Sequence, residues 1–169
     1  MKYLPLFLFA TLLLGCTASP SGFDTYADQE NHFSFDKPSN WTRQNDPLSL
    51  ARFGDGEKMT FSVTYIPGNT SDQFEQAVAH VYTEFQNNNG LFNLAQESTT
   101  FAGFQAIKIT SDQNLINETT RSLAIVQADL FIVKDTKYNR LLLVAFTGKK
   151  EDSQVKNVKE TVLSSFKII

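Results

Sequence analysis

The sequence predicts an α+β domain in which an antiparallel sheet lies between helices, a three-layer α-β-α arrangement. Three observations predict it. Several segments alternate apolar and polar residues with period two, two later segments are apolar on both faces, and two stretches carry apolar residues at helical spacing. A strand that needs cover on both sides belongs in the middle of a sheet, and one amphipathic helix per face supplies that cover. The helical stretches follow the third strand and close the chain, which is an α+β order and not a repeated βαβ pattern. At 169 residues and 41% hydrophobic, the chain is one domain's worth and buries enough surface to need neither disulfides nor a structural metal.

The elements follow in order. Phe33-Ser34-Phe35 is a short strand stopped by Pro38. Leu48 to Phe53 is a second, and Gly54-Asp55-Gly56 supplies the positive-φ positions of a hairpin turn. Met59 to Tyr65 places Met, Phe, Val and Tyr on one face and hydroxyls on the other, the pattern of a half-buried strand. Thr70-Ser71-Asp72-Gln73 matches a capping box. Phe74, Ala77, Val78, Val81, Tyr82 and Phe85 then form one stripe over three turns, ended by Asn87-Asn88-Asn89-Gly90. Leu94 to Phe101 alternates less regularly because Gln96 and Glu97 interrupt it, and Ala102-Gly103 turns the chain into a strand from Phe104 to Thr110. Leu123 to Val133 and Leu141 to Phe146 are the two-sided strands, joined through Asp135 to Asn139 as a central hairpin. The closing helix opens with Glu151 and Asp152, favourable at the positive end of a helix dipole. Val155, Val158, Val162, Leu163 and Phe166 line its inner face, and Lys156, Lys159 and Glu160 are expected to face water.

Ahead of this body, Lys2 precedes an apolar run from Leu4 to Gly15 that is too short to span a bilayer and long enough for a cleaved leader. The run ends in Leu13-Leu14-Gly15-Cys16, and Cys16 is the only cysteine of the chain. This junction resembles the bacterial lipoprotein signal, in which a diacylglyceryl group (with palmitate-type chains) joins the cysteine sulfur and cleavage falls just before it. Residues 1–15 are therefore expected to be a signal peptide. Cys16 is the expected lipidation site, residues 16–31 a lipidated flexible tether, and residues 32–169 the folded domain. Two acyl chains hold a protein at a membrane stably where one is marginal. The fifteen residues from Thr17 to Asn31 would span about 20 Å as a coil and about 50 Å at full stretch. The expected location is extracytoplasmic and membrane-anchored, in the cell envelope. Thr17 after the cysteine resembles outer-membrane sorting where the host has two membranes.

Charge narrows the partners. The chain carries 15 Lys+Arg against 18 Asp+Glu, a net charge of −3. Loss of the leader removes Lys2 and leaves a balance of −4. A nucleic-acid binder would be basic, so no nucleic-acid partner is expected. An anionic body gains nothing from an anionic bilayer, so the lipid has to do the holding.

Catalytic motifs are missing. There is no G-x-S-x-G elbow, no H-E-x-x-H, no Walker loop and no G-x-G-x-x-G, and Gly54-Asp55-Gly56 leads into a strand, whereas a phosphate loop must lead into a helix. No catalytic residue and no cofactor is expected beyond the covalent lipid, and the protein is read as a non-enzyme. His80 and Glu84 stand one helical turn apart without a further ligand at motif spacing, and read as a solvated pair. His32 lies near Asp28, Glu30 and Asp36, and these four are the candidate ligands for weak calcium or zinc binding, set against a flexible acidic segment that binds nothing. Lys149, Lys150 and the helical lysines read as a solvated face.

Three local signatures in this order resemble the PsbP-like family. Phe33-Ser34-Phe35-Asp36-Lys37-Pro38-Ser39-Asn40-Trp41 is similar to the family's opening aromatic-Ser-Phe…Pro…Trp strand, Tyr138 to Phe146 to its strand after a tight turn, and Leu163-Ser164-Ser165-Phe166 to the end of its closing helix. The resemblance runs from about Phe33 to Ile169. It implies the α-β-α sandwich and a non-catalytic, lipid-anchored binding or assembly module that contacts a membrane complex or envelope partner. In a photosynthetic host it implies an extrinsic or assembly accessory protein of photosystem II, and cyanobacterial relatives are lipid-anchored too. The alternative is a lipoprotein that binds a metal ion or small molecule. Trp41, Phe33 and Phe35 need no functional role, since large aromatics at a strand end close a core.

Overall fold

The computed structural model describes residues 22–56, 58–116 and 123–169. The leader 1–15, the lipidation site Cys16 and the first part of the expected tether lie outside the described residues. The elements are β1 (Phe23–Asp28), β2 (Phe33–Pro38), β3 (Thr42–Arg43), β4 (Ala51–Gly54), β5 (Met59–Tyr65), α1 (Phe74–Gln86), β6 (Leu91–Phe101), β7 (Phe104–Ile116), β8 (Leu123–Asp135), β9 (Arg140–Lys149), α2 (Ser153–Ser165) and β10 (Lys167–Ile168).

Seven strands form one antiparallel sheet in the order β3-β4-β5-β9-β8-β7-β6. The two-sided strands β8 and β9 pair with each other near its centre, as their composition predicted. Alternation along them feeds two separate cores. Val133, Val144 and Phe146 face α2 through Val155, Val158 and Val162. Leu130, Ile132 and Leu141 face α1 through Phe74, Ala77 and Val78. One helix therefore covers each face, and the three-layer α-β-α arrangement holds.

The helix ends show why they form where they do. Gln73 accepts the Thr70 backbone N–H at 3.0 Å, and Ser71–Gln73 makes a 3₁₀ turn that feeds α1. Asp152 is the N-cap of α2, not part of its first turn; its carboxylate accepts the backbone N–H groups of Gln154 and Val155, which holds its pKa below the ordinary carboxylate value. Gly148 lets α2 sit down on the sheet, because a Cβ there would run into the Val155 side chain.

Two expectations are corrected. The strand containing Phe33 and Phe35 is not part of the main sheet. It is the middle of a second, three-stranded sheet, β1-β2-β10, stacked on the α2 side. Phe35 meets Phe61 and Phe53, and Phe33 meets Phe166, so an aromatic cluster joins the two sheets. The tether expected over residues 16–31 is also too long. Phe23–Asp28 is a strand paired residue for residue with β2, from Phe23 opposite Pro38 to Asp28 opposite Phe33. Phe23 and Tyr26 pack against the core while Asp24, Thr25 and Ala27 are exposed. The folded body thus begins at about Phe23.

Candidate functional site

The four expected metal ligands do not come together. Asp28 accepts both the backbone and the side-chain N–H groups of Asn31, so it shapes the β1–β2 turn. Asp36 stands opposite Thr25, three residues along the ladder from Asp28, and accepts the Thr25 hydroxyl at 2.6 Å. At the rise of a strand those two carboxylates sit about 10 Å apart. Glu30 is exposed. His32 adopts φ 55° and stacks on Tyr138 at 4.3 Å between ring centroids. Among the described residues no three His, Cys, Asp or Glu side chains are placed to hold a metal ion. His80 and Glu84 are exposed on α1.

His32 instead belongs to a knot at one end of the main sheet. Asp135, fully buried, accepts the backbone N–H groups of Lys137 and Tyr138 and pairs with Arg140 at 2.7 Å. Arg140 also donates to the Asn31 carbonyl, and the Tyr138 hydroxyl to the Ile169 carbonyl. Asn139 accepts from the Ser71 backbone and hydroxyl. Every one of these bonds ties a turn or chain end to the sheet.

The opposite end carries the candidate site. On the α2 side of β6, β7 and β8, cross-strand register sets Glu97 beside Lys108, Thr110 beside Asp129, and Asp112 beside Gln127. Two aspartates are buried there, Asp129 at 3% exposure and Asp112 at 2%. Lys159 reaches down from α2 to Asp129 at 2.7 Å, and Lys108 lies 3.9 Å from the same carboxylate. Lys150 donates to Asp112 at 2.7 Å. Asn93, in the left-handed region where the β6–β7 register shifts, donates to the same Asp112 oxygen at 2.9 Å.

Between α2 and the strand ends lies an open cleft of about 320 Å³, lined by Gln127, Gly148, Lys150, Lys156, Lys159 and Glu160 among others. Burial pushes the Asp112 carboxyl up, but the hydrogen bonds from Asn93 and Lys150 outweigh it and hold the group below its ordinary value. The bond to Asp112 in turn holds the Lys150 ammonium above its ordinary value. Each lysine head carries three donors, so after the pairs to Asp112 and Asp129 the ammoniums keep donors for an acceptor group in the cleft. Neither histidine is near: His32 is in the knot, and His80 is on the face of α1 away from this cleft. The arrangement can hold a carboxylate or phosphate oxygen, and it presents no paired nucleophile and base.

No family model matches the sequence, and no curated protein matches it. Solved structures do. Cyanobacterial PsbP from Synechocystis matches with a TM-score of 0.54 and 16% identity, covering 90% of this chain and 96% of its own. The fold is PsbP-like. A Bacteroides thetaiotaomicron crystal structure matches at TM-score 0.57 and 16% identity over 88% of this chain, which spans about half (49%) of that longer chain. LpqN of Mycobacterium tuberculosis, a protein involved in cell envelope biogenesis, matches at 0.51 and 8% identity over 80% of this chain and 82% of its own. At these identities the likeness establishes the fold and leaves function to the site.

Sequence reasoning missed Asp112 and Asp129, and read Lys150 and Lys159 as solvated. A signal was present. Asp129 is the one charge in a run that is apolar on both faces but for Gln127, and a charge in such a strand needs a buried partner. Asp112 carried no such signal, because β7 runs six residues past Thr110, where the expected strand ended.

Proposed function

We propose that the protein is a non-catalytic binding or assembly module, held on the extracytoplasmic side of a membrane by a lipid on Cys16. Its lysine-lined cleft receives an acidic segment of a membrane or envelope partner. One observation carries this reading: the chain enters the domain at the end of the sheet that holds the cleft. The Gly22 carbonyl accepts the Ser39 N–H, Trp41 follows two residues on, and Trp41 packs on Phe146, a wall of the cleft. Cys16 is six residues before Gly22, so a lipid there brings the bilayer to that end, within about 20 Å at full stretch. Among the described residues no helix is long and apolar enough to cross a membrane.

Two measurements test it. Cys16→Ser should move the protein out of the membrane fraction, and retention there would remove the anchor. A photo-crosslinker at the exposed position Lys156 should recover one specific partner in native membranes, and the Lys159→Glu variant should lose it. Recovery of abundant proteins alone, unchanged by Lys159→Glu, counts against the cleft. The photosystem II role is the narrower version of the same reading. Its support is the likeness to cyanobacterial PsbP, and it requires a chlorophyll-containing host.

A further inference from the structure

Among the described residues, β7 and β8 continue together beyond the last flanking pairs of the main sheet with no strand paired on either side. On one side β6 ends its pairing at Leu91 opposite Gln113; on the other, β9 ends at Lys149 opposite Val126, with a final backbone bond from Lys150 to Ile125. Asn114 to Ile116 and Leu123 to Ile125 therefore form a two-stranded ribbon that stands off the sheet by about 10 Å. Such a ribbon is marginal in water unless something covers it. Here Leu123 is 64% exposed, Leu115 48% and Ile125 37%. Register places Leu115 on the α1 side, and Leu123 and Ile125 on the α2 side, where they border an open cleft with Lys149, Glu151 and Ser153, so exposed apolar side chains lie on both faces.

The ribbon shares its end of the molecule with Gly22. Gly148, two residues on from the Phe146 against which Trp41 packs, pairs with Gln127, two residues from Ile125. The knot of His32, Tyr138 and Ile169 marks the opposite end. We infer that the β7–β8 ribbon is a second membrane contact, resting Leu115, Leu123 and Ile125 in the interface of the bilayer to which Cys16 is anchored. The inference rests on the anchor proposed above. A lead of six residues limits the gap between bilayer and domain to about 20 Å, and the ribbon crosses about half of that gap before the domain tilts at all. Apolar side chains held at that depth gain by burial at the headgroup–acyl boundary. The contact fixes the domain's orientation, and with it the height of the lysine cleft above the lipid.

The test uses the full acylated lipoprotein, reconstituted in phosphatidylcholine–phosphatidylglycerol vesicles. Leu123→Cys at the ribbon and Thr136→Cys at the far end are each labelled with an environment-sensitive fluorophore, Cys16 being blocked by its lipid. Vesicles carrying acyl-chain nitroxides should quench the label at position 123 at least about twofold more than that at 136, as expected for side chains buried roughly 5–10 Å into the interface. Leu115→Asp combined with Ile125→Asp in the Leu123→Cys background should abolish the difference while the protein still floats with the vesicles. Equal quenching at both sites in a protein that floats overturns the ribbon contact and leaves the anchor standing. A full chain that does not float overturns the anchor, and the ribbon contact with it.

Discussion

The two ends of the seven-stranded sheet solve the problem of buried charge in opposite ways. At the β8–β9 turn, Asp135 and Arg140 spend their capacity on each other and on backbone groups, including the Lys137 and Tyr138 amides and the Asn31 carbonyl. At the other end, Asp112 and Asp129 are met almost wholly by side chains: Lys150, Asn93, Lys159 and Lys108. A charge satisfied by main chain holds the fold, since nothing can displace its partners without unfolding a turn. A charge satisfied by long side chains on a cleft wall can exchange partners while the fold stays intact. The first end is architecture; the second has the properties of a binding surface.

Breaking the knot should therefore have the largest effect on stability. Arg140→Met leaves Asp135 buried without its ion pair, and should cost about 3–5 kcal/mol in denaturant unfolding. A loss below that of an exposed substitution would mean that the two ends do not differ as described. Next comes Gly148→Val, which drives a branched side chain into Val155 and lifts the start of α2. Overpacking of this kind should cost about 1–3 kcal/mol, read from the shift in denaturation midpoint. It should also disturb the cleft, because Gly148 and Val155 both line it.

How much of this was legible follows from the same contrast. Regular alternation is written residue by residue, so β5 was readable in full from Met59 to Tyr65, and the α1 stripe from Phe74 to Phe85. Segments whose burial depends on a distant partner were not. Phe23–Asp28 has only Phe23 and Tyr26 to bury, and its remaining polar residues read as a tether until β2 is there to pair with it. The grouping of His32, Asp28, Glu30 and Asp36 failed for a related reason. Closeness in sequence ignored the ladder that moves Asp36 away from the turn holding Asp28. The lysines of the cleft were visible as residues, but their aspartate partners come from strands 30 or more residues away in sequence, and composition cannot announce such a meeting.

Acid should loosen the cleft end through Asp112. The Asp112 carboxyl is held below its ordinary value in the folded protein, so its stabilising contribution is complete above the unfolded carboxylate pKa of about 3.9 and is lost as pH falls through the folded value. Asp112→Asn should flatten that acid limb by lowering stability at neutral pH, where the ionised carboxylate contributes in full, and should change stability least at the acid end. On the alkaline side, Lys150 is held above its ordinary value; its contribution is complete below the unfolded lysine pKa of about 10.4 and is lost as pH rises through the folded value. A variant whose acid limb matches the parent's would show that Asp112 is not the group whose charge matters there.

The smallest effect sharpens the comparison most. Leu123→Ser removes an apolar side chain that is 64% exposed and packs against neither core. Its cost in aqueous unfolding should stay within about 0.5 kcal/mol, as for surface positions generally. An ordinary core leucine lost in this way would cost several times more. A large apolar residue that contributes so little to the fold fits the membrane contact inferred for the ribbon, where Leu115 and Ile125 are exposed beside it. If Leu123→Ser instead destabilises the protein by an amount typical of the core, the ribbon is part of the architecture, and the cleft end is built more like the knot than the contacts at Asp112 and Asp129 imply.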